Sequence, residues 1–125
     1  MLSLAQADEL SPFTSDGCSA FPDGTFAQQD LWLSCCTEHD RAYWQGGTFS
    51  EKMAADNALR ECVAALGEGG IAYLMQAGVL VGGSAYYPTS FRWGYGWEYP
   101  RPYKPLSAGD FAKVKSAREE ADSNK

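Results

Sequence analysis

The residues Cys35-Cys36-Thr37-Glu38-His39-Asp40-Arg41-Ala42-Tyr43 gather an imidazole, a carboxylate, a phenol and two thiols into one short stretch. On a helix, Cys35, His39 and Tyr43 fall four residues apart, with Cys36 three before His39, so all four project over one face. His39 is the only histidine in the chain, so any imidazole acid–base chemistry has to use it. An imidazole has an intrinsic pKa of about 6.5, which suits a base at neutral pH. Such a base needs its tautomer fixed by an acceptor on one ring nitrogen, which leaves the other to take a proton from water. Asp56 is the candidate acceptor, and Tyr43, one turn beyond His39, is placed to hold that carboxylate from its other side.

Asp40 lies about 100° around the helix from His39, close enough to share a site but aimed at a ligand of its own. A metal-held carboxylate is one natural use. Calcium takes several oxygens, often backbone carbonyls of a Gly-rich loop together with a carboxylate, and Asp16 to Gly24 is such a loop. A cation there would polarise an ester carbonyl and stabilise the developing oxyanion.

Two helices are needed to bring these groups together. Asp30 can cap a first helix running to Trp44, and Gly46-Gly47 ends it. Thr48-Phe49-Ser50-Glu51 reads as a capping box opening a second helix that ends at Gly67. The short link makes the two antiparallel neighbours. On the second helix Asp56, Leu59 and Val63 share a stripe with Cys62 alongside, so a carboxylate can meet the imidazole and a thiol can meet a thiol.

A third helix is predicted over Ile71 to Val81, with Ile71, Leu74, Met75 and Leu80 as its apolar contacts, and a last one over Phe111 to Glu120. Between them, Tyr86 to Pro105 crowds aromatics among prolines and reads as an extended arm laid across the domain. Trp93, Trp97 and Arg92 on that arm are candidate substrate-binding residues, as amphipathic rings and a cation suited to a headgroup region, with plain packing as the competing use.

With 125 residues the chain fits one small domain, expected over 8–120, and domains of this size often need cross-links. The four cysteines lack the paired spacing of a zinc ribbon, and adjacent Cys35 and Cys36 point apart on a helix, so a disulfide framework is expected rather than zinc. Ala5-Gln6-Ala7 reads as the cleavage site of a signal peptide whose remnant is 1–7, which makes the expected location secreted or periplasmic. Residues 121–125 read as a polar, frayed tail.

A net charge of -6 argues against nucleic acid. The longest apolar run, Ile71 to Ala85, is broken by Gln76 and glycines and is too short for a transmembrane segment. The lone histidine also excludes a His-Asp phosphohydrolase, whose metals need several more.

The stretch Asp16 to Leu66 resembles secreted phospholipase A2, nearest to its small bacterial or fungal forms. That family's signature is C-C-x-x-H-D-x-C-Y on one helix, with an Asp followed six residues later by Cys on the antiparallel partner. Asp56 and Cys62 have that spacing. The resemblance implies an all-α fold: a disulfide-linked antiparallel two-helix catalytic core, here with additional helices and the aromatic-rich arm. It implies disulfides Cys35 with Cys62 and Cys18 with Cys36. It makes His39 the water-activating base, Asp56 its partner, Tyr43 the support and Asp40 the calcium carboxylate, with ligand carbonyls from Gly17, Ser19 and Phe21.

The expected activity is calcium-dependent hydrolysis of a glycerophospholipid acyl ester at a membrane surface, by a monomer. Two departures stand out. Ala42 replaces the usual cysteine, and the calcium loop reads Asp16-Gly17-Cys18-Ser19-Ala20-Phe21-Pro22-Asp23-Gly24 instead of Y-G-C-x-C-G-x-G-G, which leaves Asp16 or Asp23 as alternative ligands in place of those carbonyls. The runner-up is therefore a noncatalytic module on the same scaffold that binds a lipid or a protein. A metal-independent hydrolase is a third reading.

Overall fold

Thr48 opens a helix with both halves of a capping box: its hydroxyl accepts from the Glu51 backbone N–H, and the Glu51 carboxylate accepts from the Thr48 N–H at 2.8 Å. This is α2, Phe49–Ala65, in a computed structural model that describes residues 9–18, 24, 28–67 and 69–123. The other helices are α1, Leu33–Gln45, α3, Gly69–Gly82, and α4, Ala108–Ser123. Among the described residues the remaining regular pairing is one antiparallel bridge between Leu10 and Trp97. The expected signal remnant, Ser19 and Phe21 lie outside the described residues.

Helix α1 starts later than its polar residues predict. Asp30 does not cap it: residues 28–32 form turns, and the residue before the helix is Trp32, with no side-chain cap. Trp32 is 2% exposed and belongs to the apolar cluster, so burial of the indole outweighs capping in setting the helix start. The helix ends at Gly46, whose φ of 72° lies in the left-handed region. A β-carbon there would stand 3.1 Å from the Gly94 Cα, so the close approach of the arm also calls for glycine.

The segment expected as an extended arm is mostly turns over residues 85–96, and it completes α1. The C-terminal carbonyls of a helix lack intrahelical partners, and residues 93–104 supply donors for them. Gly94 N–H donates to Tyr43 O at 2.6 Å and Gly96 N–H to Trp44 O at 3.1 Å. The Trp97 indole donates to Gln45 O at 2.8 Å, and the Trp93 indole to Gly47 O at 3.0 Å. The alternation Trp93-Gly94-Tyr95-Gly96-Trp97 is thus a row of backbone and indole donors set against a helix end.

Helix α2 packs on both α1 and α3. Two disulfides, Cys35–Cys62 and Cys18–Cys36, join the first apolar cluster, in which Trp32, Leu59, Val63, Ala72 and Met75 are buried. On α3 the inward stripe is Ala72 and Met75, flanked by Ile71 and Val79. Leu74 and Leu80, expected as contacts, are instead 59% and 39% exposed, because α3 is apolar nearly all round and its periodicity could not select a face. Helix α4 is longer than predicted at both ends. Ser107 and Asp110 exchange backbone-to-side-chain hydrogen bonds at its start, and it runs on to Ser123. No helix among the described residues is long and apolar enough to cross a membrane.

Cys35 and Cys62 are 27 residues apart, and closing a loop of that size restricts the unfolded chain by about 3–4 kcal/mol. Replacing both by serine should lower the unfolding free energy by roughly that amount. Urea titrations with coincident midpoints for the two proteins would contradict it.

Candidate functional site

Asp56 is fully buried, at 0% exposure, and each of its oxygens is held by donors. His39 Nε2 lies 2.8 Å from Oδ1, the Tyr43 hydroxyl donates to the same oxygen at 2.6 Å, and Lys52 Nζ donates to Oδ2 at 2.8 Å. The three donors come from α1 and α2, which the Cys35–Cys62 bond holds together one helical turn from His39. Burial works against ionisation of Asp56. Hydrogen bonds from His39, Lys52 and Tyr43, with the charge of Lys52, outweigh it and hold the carboxyl below the ordinary range. Burial and the Asp56 carboxylate push the Tyr43 phenol the other way, so it stays a donor.

An ionised carboxylate only accepts, so its contact assigns the hydrogen to His39 Nε2 and leaves the lone pair on Nδ1. Nδ1 lies 4.0 Å from Asp40 Oδ1, on the side of the cavity. Behind the ring, Tyr43 sits 4.3 Å from it centroid to centroid, and Trp93 meets Tyr43 edge-on at 5.0 Å.

His39 and Asp40 form the polar end of a cavity of about 650 Å³, within the range of small-molecule sites. Its walls are apolar along Leu59, Met75, Val79 and Phe91, and Asp16 and Gly17 stand at the polar end. Asp40 Oδ2 accepts from the Ser15 hydroxyl at 2.7 Å, and Ser15 Oγ accepts from the Gly17 N–H, so the loop before Cys18 rests on the carboxylate. Burial raises the Asp40 pKa, opposed by Ser15 and His39 and reinforced by Asp16.

These groups bear on a metal through their chemistry. Asp40, Asp16 and the Gly17 backbone offer hard oxygens around one cavity, the kind of donor calcium takes. That donor set fits calcium rather than a thiophilic metal. Among the described residues there is no cluster of three or more His, Cys, Asp and Glu side chains, so backbone carbonyls and water would have to fill the shell.

The structure therefore brings together His39, Asp56, Tyr43, Asp40 and Gly17. It does not bring Trp93, Trp97 or Arg92 to the cavity. Trp93 and Trp97 are 2% and 1% exposed, bonded to carbonyls at the end of α1, and Arg92 donates inward to Trp97 O. The arm's contribution to the cavity wall is Ser90 and Phe91. Sequence reasoning also missed Lys52. Its signal was available, because Lys52 stands four residues before Asp56 on the same stripe, but a lysine is normally solvated. No protein family, curated protein or solved structure matches the chain.

Two outcomes follow from this packing. The Asp56 carboxyl is held low in the fold, so the unfolded chain binds its proton at higher pH than the folded one. The stabilisation is complete above the unfolded value of about 4 and is lost as pH falls through the folded value. Denaturation midpoints should therefore fall below about pH 4 in the wild type, with a smaller fall in Asp56→Asn; equal slopes would count against this pairing. Gly83 is the second probe: a β-carbon there would stand 2.5 Å from the Tyr43 hydroxyl and 2.6 Å from Val79 O. Gly83→Ala should destabilise by about 1–3 kcal/mol and displace Tyr43. An unchanged melting temperature would refute that.

Proposed function

We propose that the chain hydrolyses an acyl ester of a glycerophospholipid, by His39-activated water, in the manner of the secreted phospholipases A2 it resembles. The observation that carries this reading is the His39 imidazole, oriented by a buried and fully bonded Asp56, in the lining of a largely apolar cavity of about 650 Å³. The disulfide-linked α1–α2 pair is then the antiparallel catalytic core, and the aromatic arm its brace. Its two disulfides suit an exported protein.

In the Michaelis complex the acyl chain lies along Leu59, Met75 and Val79, which places the ester carbonyl near His39 and Asp40. Nδ1 takes a proton from water as the water oxygen bonds to the carbonyl carbon. Asp56 and Tyr43 hold the imidazolium that results, and no proton passes to Asp56. As the tetrahedral intermediate collapses, Nδ1 returns the proton to the leaving glycerol oxygen, giving a fatty acid and a lysophospholipid. Calcium held by Asp40, with Gly17 and Asp16 and the proposed Ser19 and Phe21 carbonyls, would supply positive charge to the carbonyl oxygen.

The Ser15 hydroxyl on Asp40 Oδ2 favours a second reading, hydrolysis without metal, since that oxygen already has a donor. Fatty-acid release from mixed phosphatidylcholine and phosphatidylglycerol vesicles separates the two. His39→Ala should lower release by about 10²–10⁴-fold. Chelator should abolish wild-type release if calcium acts and leave it intact if none does, with Asp40→Asn following the chelator. No wild-type release under either condition would refute hydrolysis and leave a noncatalytic binding module.

A further inference from the structure

Lys52 is 1% exposed, and its ammonium group makes two bonds inside the protein: 2.8 Å to Asp56 Oδ2 and 3.2 Å to Val79 O. It also lies 5.5 Å from the centroid of the Tyr43 ring. The first bond explains how a carboxylate is tolerated at 0% exposure, because a buried charge needs a partner and hydrogen bonds. The second has no part in charge balance. Val79 O already accepts from the Gly83 N–H just past the end of α3, so the lysine is an additional tie, made to the helix that walls the cavity. Tyr43 does not take its place: its single hydrogen goes to Asp56 at 2.6 Å rather than to Val79 O at 3.3 Å.

The terminal torsion of an aspartate is broad and roughly two-fold. His39 and Tyr43 both bond Oδ1, so they restrain that torsion from one oxygen alone. Lys52 on Oδ2 restrains it from the other.

We propose that Lys52 is a positioning residue of the site: it restrains the Asp56 carboxylate torsion from Oδ2 and bonds the cavity wall at Val79, so that the imidazole and the wall keep one relative placement. The role rests on the hydrolytic reading only in its kinetic consequence. Its structural consequence, a single His39 tautomer, stands whether or not the chain is an enzyme.

The test uses the full-length protein with ¹⁵N-labelled histidine and lysine, and variants Lys52→Met, Lys52→Gln and Lys52→Arg. With one histidine, the imidazole nitrogens give one pair of signals. At a fixed pH of about 8, where a free imidazole is neutral, wild type should show only the Nε2–H tautomer. Lys52→Met should show a mixture of both, with kcat on the same vesicles down at least tenfold and KM within twofold. Lys52→Arg should recover the single tautomer and most of kcat.

A single tautomer in Lys52→Met, or an arginine variant as impaired as the methionine one, overturns the proposal. If Lys52→Met does not fold, Lys52→Gln carries the same comparison. In the wild type itself the Lys52 ammonium should give a signal protected from solvent exchange, and finding only freely exchanging lysines also overturns it. Should wild type release no fatty acid, the hydrolytic reading fails, and the tautomer measurement still decides the role of Lys52.

Discussion

Asp56 has no contact with solvent, and the placement of α1, α2 and α3 follows from the need to keep its two oxygens bonded. An unpaired carboxylate at that depth would cost several kcal/mol, comparable to a small domain's whole stability. Each donor therefore fixes an element. His39 and Tyr43 set the face of α1, Lys52 sets its own rotamer along α2, and Val79 O and Gly83 bring the end of α3 against both. The bonds that make the charge tolerable also orient the imidazole, so stability and chemistry draw on the same contacts.

Those contacts have a polarity suited to ester hydrolysis. Every bond to Asp56 comes from a donor, which leaves a single unengaged nitrogen on the ring, beside a cavity with largely apolar walls. Asp40 is held differently. It is partly buried, close to Asp16, and bonded by a hydroxyl rather than a cation. The two carboxylates are shifted in opposite directions by their surroundings: burial raises Asp40, whereas hydrogen bonds and the charge of Lys52 hold Asp56 low.

What could be read from the chain beforehand depended on how many constraints met at a residue. His39, Asp56, Tyr43, Cys35 and Cys62 each had to satisfy helical spacing and a partner on the opposite helix, so their meeting was legible. Asp30 was misread because its capping preference, of about 1 kcal/mol, is smaller than the gain from burying Trp32 beside it. Leu74 and Leu80 were misread because an apolar helix has no face to choose. Lys52 was passed over because lysine's usual place in water hides the rarer case in which it is enclosed with its counterion. The arm's tryptophans had two readings, surface anchors or packing, and their burial, with the indoles bonded to backbone carbonyls, is the second.

That last feature bears on the order in which the molecule can be assembled. The carbonyls of Tyr43, Trp44, Gln45 and Gly47 receive donors from residues 93–104, about fifty positions downstream. During synthesis the C-terminal turn of α1 emerges long before those donors exist. A helix of this length is marginal alone, so the turn that carries Tyr43 cannot be finished until the arm has been made and docked. Contacts this distant in sequence are slow to close. The chain thus withholds a rigid His39–Asp56–Tyr43 arrangement until residues 93–104 have been translated, and a protein cut short before Trp93 would carry those three residues without the donors that finish the end of the helix.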